Sequence, residues 1–288
     1  MKGGLFDCIQ ETPYPPFMHG LYLEEYCVRR YTAENPILKR TYIPLKWTNF
    51  QIHRDYNKQR HILQKALNIW VHKNPNPNGY FTIVQHDDGP TLSLPKNTII
   101  YGACGGSYKI PLIYEDVNNR LINMKRKTFS EKEILCSFIG TLTHNVRCQM
   151  QKALTGKPGF HLNAHKTWNI NVSSSNQDIF INNTINSKFA LAPRGYGRSS
   201  FRFFEIFQLG SIPIYIWDDI EWLPYKDKID YNKFCISIHI SQIDTLEQLL
   251  HSIDEVKYNQ MLEEYETVKH MFAYEYMYNY IMEHVNNN

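Results

Sequence analysis

No two of the six cysteines, at 8, 27, 104, 136, 148 and 235, form a C-x-x-C pair, which excludes a zinc ribbon or disulfide framework and suits a reducing compartment. Nowhere do 18 apolar residues run together, and the opening MKGGLFDCIQETPYPPF lacks the apolar core of a signal peptide. The expectation is therefore a soluble cytoplasmic protein with no membrane span, in which the sequons at Asn171 and Asn182 carry no meaning. H-E-x-x-H, G-x-S-x-G and D-x-D are missing, and Gly156-Lys157 runs into Pro158 instead of completing a Walker A loop. A net charge of +3 is too weak to argue for nucleic acid, and the best basic run, Lys125–Lys127, is too short.

What is present is a globular composition, 43% hydrophobic and 20% charged, in a chain long enough for two modest domains. Its densest stretch is Leu191–Gly210, LAPRGYGRSSFRFFEIFQLG. The apolar runs Lys188–Ala192 and Ser211–Ile216 on either side read as buried strands. Between them lie a loop, Pro193–Ser200, and a helix, Phe201–Leu209, stopped by Gly210. The first N–H groups of a helix have no intrahelical partner and the helix dipole is positive there, so this arrangement suits a phosphate. Arg198 and Arg202 sit where a cation opposes the dipole, a conflict that a bound polyanion removes. Glu205 shares a face with Arg202 and suits ribose hydroxyls, against the plainer reading of an i,i+3 surface pair. The loop reads G-x-G-x-x-S rather than G-x-G-x-x-G, which argues against hydride transfer.

Along the chain, Thr41–Trp47 reads as a strand closing in Lys46 and Trp47, and Arg54–His72 keeps helical spacing. Leu21–Tyr31 suits a helix or a strand. Tyr80–Gln85 is a strand that delivers His86, Asp87, Asp88 and Gly89 to its C-terminal end, where open α/β sheets bind ligands. Asn97–Tyr101 and Ile110–Tyr114 follow as strands, and the polar Asn118–Glu133 reads as a link between two halves. Ile134–Ile139 then opens a second sheet, ends in Gly140, and leads to a helix over Asn145–Leu154 with Arg147 near its start. That repeats strand, glycine, helix start and arginine, and two such sites suit the two phosphates of a nucleotide sugar. Ile179–Ile185 is a further short helix. Asp218 and Asp219 compete with Glu205 for the ribose, and as neighbours on a strand they should point to opposite faces. Thr245–Val285 is mostly helical, with a core stripe of Met261, Tyr265, Val268, Phe272 and Tyr276.

The run Phe189–Ser237 resembles the C-terminal half of the exostosin family, glycosyltransferase family 47. It carries the Pro-Arg-Gly loop, Ser-Phe-Arg-Phe-x-Glu, the x-Pro-x segment, Leu-Pro-Tyr and Ile-Asp-Tyr. With ILCSFIG and Arg147 upstream, the likeness spans roughly residues 134–285 and is thin before 130. It implies an α/β fold of GT-B type: two Rossmann-like lobes with a cleft between them and C-terminal helices packing back across. Residues 1–128 form the acceptor lobe, 129–265 the donor lobe, and 266–288 a returning helix.

The resemblance further implies an inverting transferase that moves a sugar such as xylose, galactose or glucuronic acid from a UDP-sugar donor to a glycan acceptor; the missing D-x-D argues against a required metal, and no cofactor is expected. Gly140, Arg147, Arg194, Gly195, Tyr196, Gly197, Arg198, Ser199, Ser200, Phe201 and Arg202 would hold the diphosphate, and Glu205 the ribose. Inversion needs a base from the other lobe, for which Asp88 comes first, then Asp87 and His86, against a reading of HDDG as a turn that ends a strand. Trp47, with Lys46, is the candidate acceptor contact by stacking on a sugar, against a tryptophan in the core. The alternative function is a nucleotide-sugar or glycan-binding protein on the same fold without chemistry.

Overall fold

A computed structural model describes Gln10, Thr12, residues 20–167 and residues 172–287; the sequon at Asn171 and most of the N-terminal lead-in lie outside the described residues. The chain divides into unit 1, Met1–Glu115 with Ala273–Asn288, and unit 2, Asp116–Phe272. Among the described residues no helix is long and apolar enough to cross a membrane.

Unit 1 begins with α1 (Leu23–Glu34), which ends at Asn35 in the left-handed conformation. Then come β1 (Thr41–Tyr42), α2 (Trp47–Gln51), α3 (Tyr56–Lys73), β2 (Tyr80–Val84), β3 (Thr98–Gly102) and β4 (Tyr108–Lys109). The four strands are parallel in the order β1-β2-β3-β4. Every residue of β2 is buried, as befits an inner parallel strand covered on both faces. Two expected strands are shorter than their apolar runs. Pro44 has no N–H to donate, so β1 stops at Tyr42 and Trp47 opens a helix instead. Pro111 likewise interrupts Ile110–Tyr114, whose Ile110, Leu112 and Ile113 are buried without forming a strand.

Unit 2 alternates strand and helix: β5 (Ile134–Thr141), α4 (Asn145–Leu154), β6 (Phe160–His165), α5 (Ser174–Ile185), β7 (Ser187–Pro193), α6 (Phe201–Gln208), β8 (Ile212–Trp217) and β9 (Ile236–His239), then α7 (Leu246–His251) and α8 (Glu255–Val268). Its sheet is wholly parallel, ordered β6-β5-β7-β8-β9. The chain moves outward from β5 to β6, then returns to the other side of β5 with β7. In such open sheets the strand ends at this reversal are where ligands bind. Phe203, Phe204, Ile206 and Phe207 of α6 are buried, and Phe207 stacks on Tyr265 of α8 with ring centroids 3.9 Å apart, which fixes the helix on the sheet.

The final helix, α9 (Tyr274–Asn287), belongs to unit 1. Met277, Tyr278, Ile281 and Val285 form its buried face. Tyr274 stacks on Tyr26 at 4.6 Å, and the Arg30 guanidinium lies 4.5 Å from the Tyr278 ring centre.

Candidate active site

The reversal between β5 and β7 brings two glycines and two arginines together. Arg147, in the first turn of α4 and 6% exposed, donates from Nε to the Arg194 carbonyl (2.9 Å), from Nη1 to Thr141 (2.8 Å) and from Nη2 to Pro193 (3.2 Å). Strands that part company leave their last carbonyls without ladder partners, and this one guanidinium satisfies three of them. Arg147 is thus a strut across two strand ends. Gly195 lies beside it: a Cβ there would stand 3.2 Å from Arg147 Nη2.

Arg202 enters from the first turn of α6 and donates from Nε to the Ile139 carbonyl at 2.8 Å. Its guanidinium lies 5.7 Å from the Phe138 ring centre and 5.4 Å from that of Phe180. Burial lowers its pKa, against the pull of Glu205, which is itself buried. A Cβ on Gly140 would come within 2.8 Å of Arg202 Nη2. The pairing expected from sequence is therefore crossed: Gly140 makes room for Arg202, and Gly195 for Arg147.

The other two arginines of the loop meet the end of β8. Arg194 Nη1 reaches Asp218 Oδ1 at 2.7 Å and Asp219 Oδ1 at 2.6 Å, and Arg198 Nε reaches Asp219 Oδ2 at 2.7 Å. Burial works to raise the Asp219 carboxyl, but the Ile220 N–H, the Arg198 hydrogen bond and Arg194 outweigh it and hold it at about 2. The two aspartates do not point to opposite faces, because the strand ends at Trp217 and the turn swings both carboxylates onto one guanidinium. Arg194 and Arg198 thus hold the loop in shape. Arg194 Nη2 also donates to the Tyr196 carbonyl (2.9 Å), and the Tyr215 hydroxyl donates to that of Arg198 (2.6 Å). Tyr196 is exposed, Gly197 buried, and Ser199 and Phe201 half-buried. Ser200 occupies the N-cap position of α6, yet its side chain makes no capping hydrogen bond.

His144 is a residue that sequence reasoning passed over. It is the N-cap of α4, with Nδ1 accepting from the Val146 N–H at 3.3 Å and Nε2 4.0 Å from Asp218 Oδ2. Burial, then Arg194 and Arg147, hold its pKa below the ordinary histidine value, against Asp218 and Asp219. The only trace in the sequence is its place just before the helical run N-V-R-C.

In unit 1, His86 to Gly89 form a turn at the end of β2. The Gly89 N–H donates to the His86 carbonyl (3.0 Å), His86 Nδ1 accepts from the Asp88 N–H (3.2 Å), and Gly89 adopts φ +67°. Asp87 and Asp88 are exposed, while His86 is half-buried with its pKa lowered by burial against both aspartates. Beneath the turn lies Glu24 of α1, fully buried. It accepts from the Thr48 N–H (2.9 Å), the Thr48 hydroxyl (3.0 Å) and the Gln85 N–H (2.6 Å). Burial raises its carboxyl to about 7 despite those donors. Glu24 thereby ties α1 to the start of α2 and the end of β2. Trp47 is 0% exposed and donates from Nε1 to the Thr82 hydroxyl at 2.8 Å, so it is a core residue and has no face open to a sugar. Lys46, half-buried, precedes α2.

Unit 2 is thus an open parallel α/β domain with a glycine loop and a helix N-terminus at its strand reversal. The model of the Exostosin GT47 domain matches residues 106–253, just over half of the chain, and the chain belongs to that family. It is 30% identical over 83 residues to the probable glycosyltransferase At3g07620 of Arabidopsis thaliana, a match covering 29% of this chain and 17% of that protein's length. Among solved structures it is similar to TarM, with a TM-score of 0.39 and 9% identity over 77% of this chain and 58% of that one.

Proposed function

We propose that the protein transfers a sugar from a UDP-sugar to a glycan hydroxyl with inversion, without a metal ion. The observation that carries this reading is the β5–β7 reversal, where α6 presents an N-terminus with no side-chain cap beside Arg202. The diphosphate accepts from the first N–H groups of α6 and from Arg202, and Glu205 accepts from the ribose. Arg147, Arg194 and Arg198 hold the strand ends and the loop in place. The acceptor and the base belong to unit 1. As the acceptor oxygen bonds to the sugar's anomeric carbon, its proton passes to Asp88, and the bond from that carbon to the diphosphate breaks with UDP as leaving group. Asp87 and His86 are the alternatives for the base.

A thermal-shift series with UDP, UDP-xylose, UDP-galactose and UDP-glucuronic acid is the first test. At least one raises the melting temperature; if none does, the donor site is abandoned. UDP release with an accepted glycan then persists in EDTA and is lost in Asp88→Ala, or in Asp87→Ala or His86→Ala if one of those is the base. Turnover that survives all three changes removes the base from this turn. A second reading, a nucleotide-sugar-binding protein without chemistry, draws on the pairing of Arg194 and Arg198 with Asp218 and Asp219, which leaves less loop charge for a leaving diphosphate. Donor binding with no UDP release in any acceptor mixture would favour it.

A further inference from the structure

We infer that His144 receives the diphosphate of the donor at the β5–β7 reversal and takes up a proton from solvent as it binds. The inference rests on the donor reading of this site and adds to it a residue and a coupling to pH.

The ring is held by its own helix. Nδ1 accepts from the Val146 N–H, so the proton of the neutral ring sits on Nε2. That nitrogen lies 4.0 Å from Asp218 Oδ2, beyond hydrogen-bond reach, and the side chain is 23% exposed. Among the described residues Nε2 has no hydrogen-bond partner, so its N–H remains free for a ligand.

The charges around it decide its state. Arg147 faces it from α4 and Arg194 from the loop after β7, while Asp218 and Asp219 face it from the turn after β8. The carboxylates are already engaged by Arg194 and Arg198. His239, at the end of β9, turns Nε2 to the Asp218 carbonyl at 2.7 Å, with Nδ1 occupied by the Ser241 N–H, and so contributes an N–H dipole to the same corner. In this balance His144 is neutral near pH 7. A diphosphate set between the first turns of α4 and α6 reverses it, because the new negative charge favours imidazolium. The result is a charge-assisted hydrogen bond to a phosphate oxygen, which strengthens as the leaving group gains charge.

Capping alone does not explain a histidine here. Asn, Ser, Asp and Thr are the preferred N-caps, and any of them would satisfy the Val146 N–H without a titrating ring.

The test compares the unaltered protein with His144→Asn, which keeps a cap and cannot be protonated. UDP binding is measured by calorimetry at pH 7 in buffers of low and high ionisation enthalpy. The terminal phosphate of UDP titrates in both proteins and cancels in the difference. The unaltered protein takes up more protons than the variant, and its Kd rises by up to about tenfold per pH unit relative to the variant above pH 6.5. By NMR, the His144 pKa in the unaltered protein moves upward on addition of UDP, a measurement that holds even if the variant folds poorly. Equal proton uptake and a stationary His144 resonance with UDP bound overturn the role of His144 and leave the donor site standing. Failure of UDP to bind the unaltered protein overturns both.

Discussion

Glu24 shows how a single buried carboxylate makes a fold depend on pH. Its carboxyl is raised to about 7 in the folded state from the ordinary 4.5, so the folded chain binds this proton more tightly than the unfolded chain does. The stability it contributes is fully present below pH 4.5 and is lost as the pH rises through 7, a span worth up to about 3 kcal/mol. Glu24→Gln removes that slope. In urea unfolding, the unaltered protein loses about 2 kcal/mol relative to the variant between pH 5 and pH 7; parallel slopes in the two would exclude Glu24 as the source. At pH 7 the amide of the variant also faces the Thr48 N–H, donor against donor, which costs about 1–3 kcal/mol. None of this was legible in LEEYC, where an acidic residue in a first helical turn reads as a solvated partner of the helix dipole. Burial of that side chain comes from α2 and β2, which are distant in sequence.

At the scale of elements, the sequence was most legible where pattern and breaker agree. The helices over 145–154 and from 201 were readable from a glycine or polar start followed by unbroken periodicity, and both are found. So was the HDDG turn, from Gly89 after a β-branched strand. Short parallel strands were less legible, since apolar content does not reveal where Pro44 or Pro111 ends a ladder. The crossing of the arginines was not legible at all, because it depends on how the β5 and β7 ends stand in space. It can be tested from each side. Arg147→Lys keeps the charge and loses the fork that holds three carbonyls, so it lowers stability by about 2–4 kcal/mol in chemical unfolding. A Cβ at Gly140 stands 2.8 Å from Arg202 Nη2 and 3.1 Å from the Phe138 ring, so Gly140→Ala overpacks a held guanidinium and lowers stability by about 1–3 kcal/mol, while UDP affinity falls tenfold or more as Arg202 is displaced. A Gly140→Ala protein that binds UDP normally would separate Arg202 from the diphosphate.

The whole molecule is assembled from a unit that is continuous in sequence and one that is not. Unit 2 runs unbroken from Asp116 to Phe272, whereas unit 1 needs α9 to cover α1 and the Tyr101 end of β3. Ending the chain at Phe272 removes Met277, Tyr278, Ile281 and Val285 from that core. The expected outcome is loss of hydrogen-exchange protection in β1, β2 and β3, with β5, β7 and β8 still protected and still responsive to UDP. Protection that stays intact in β2 would mean that α9 is dispensable.

That discontinuity also orders events on the ribosome. At about 5–20 residues per second the strands of unit 1 stand without the cover of α9 throughout the synthesis of unit 2. Tyr26 and Tyr101, which Tyr274 and His284 of α9 cover in the finished protein, are surfaces left open during that interval, where nascent unit 1 offers a chaperone apolar area to hold.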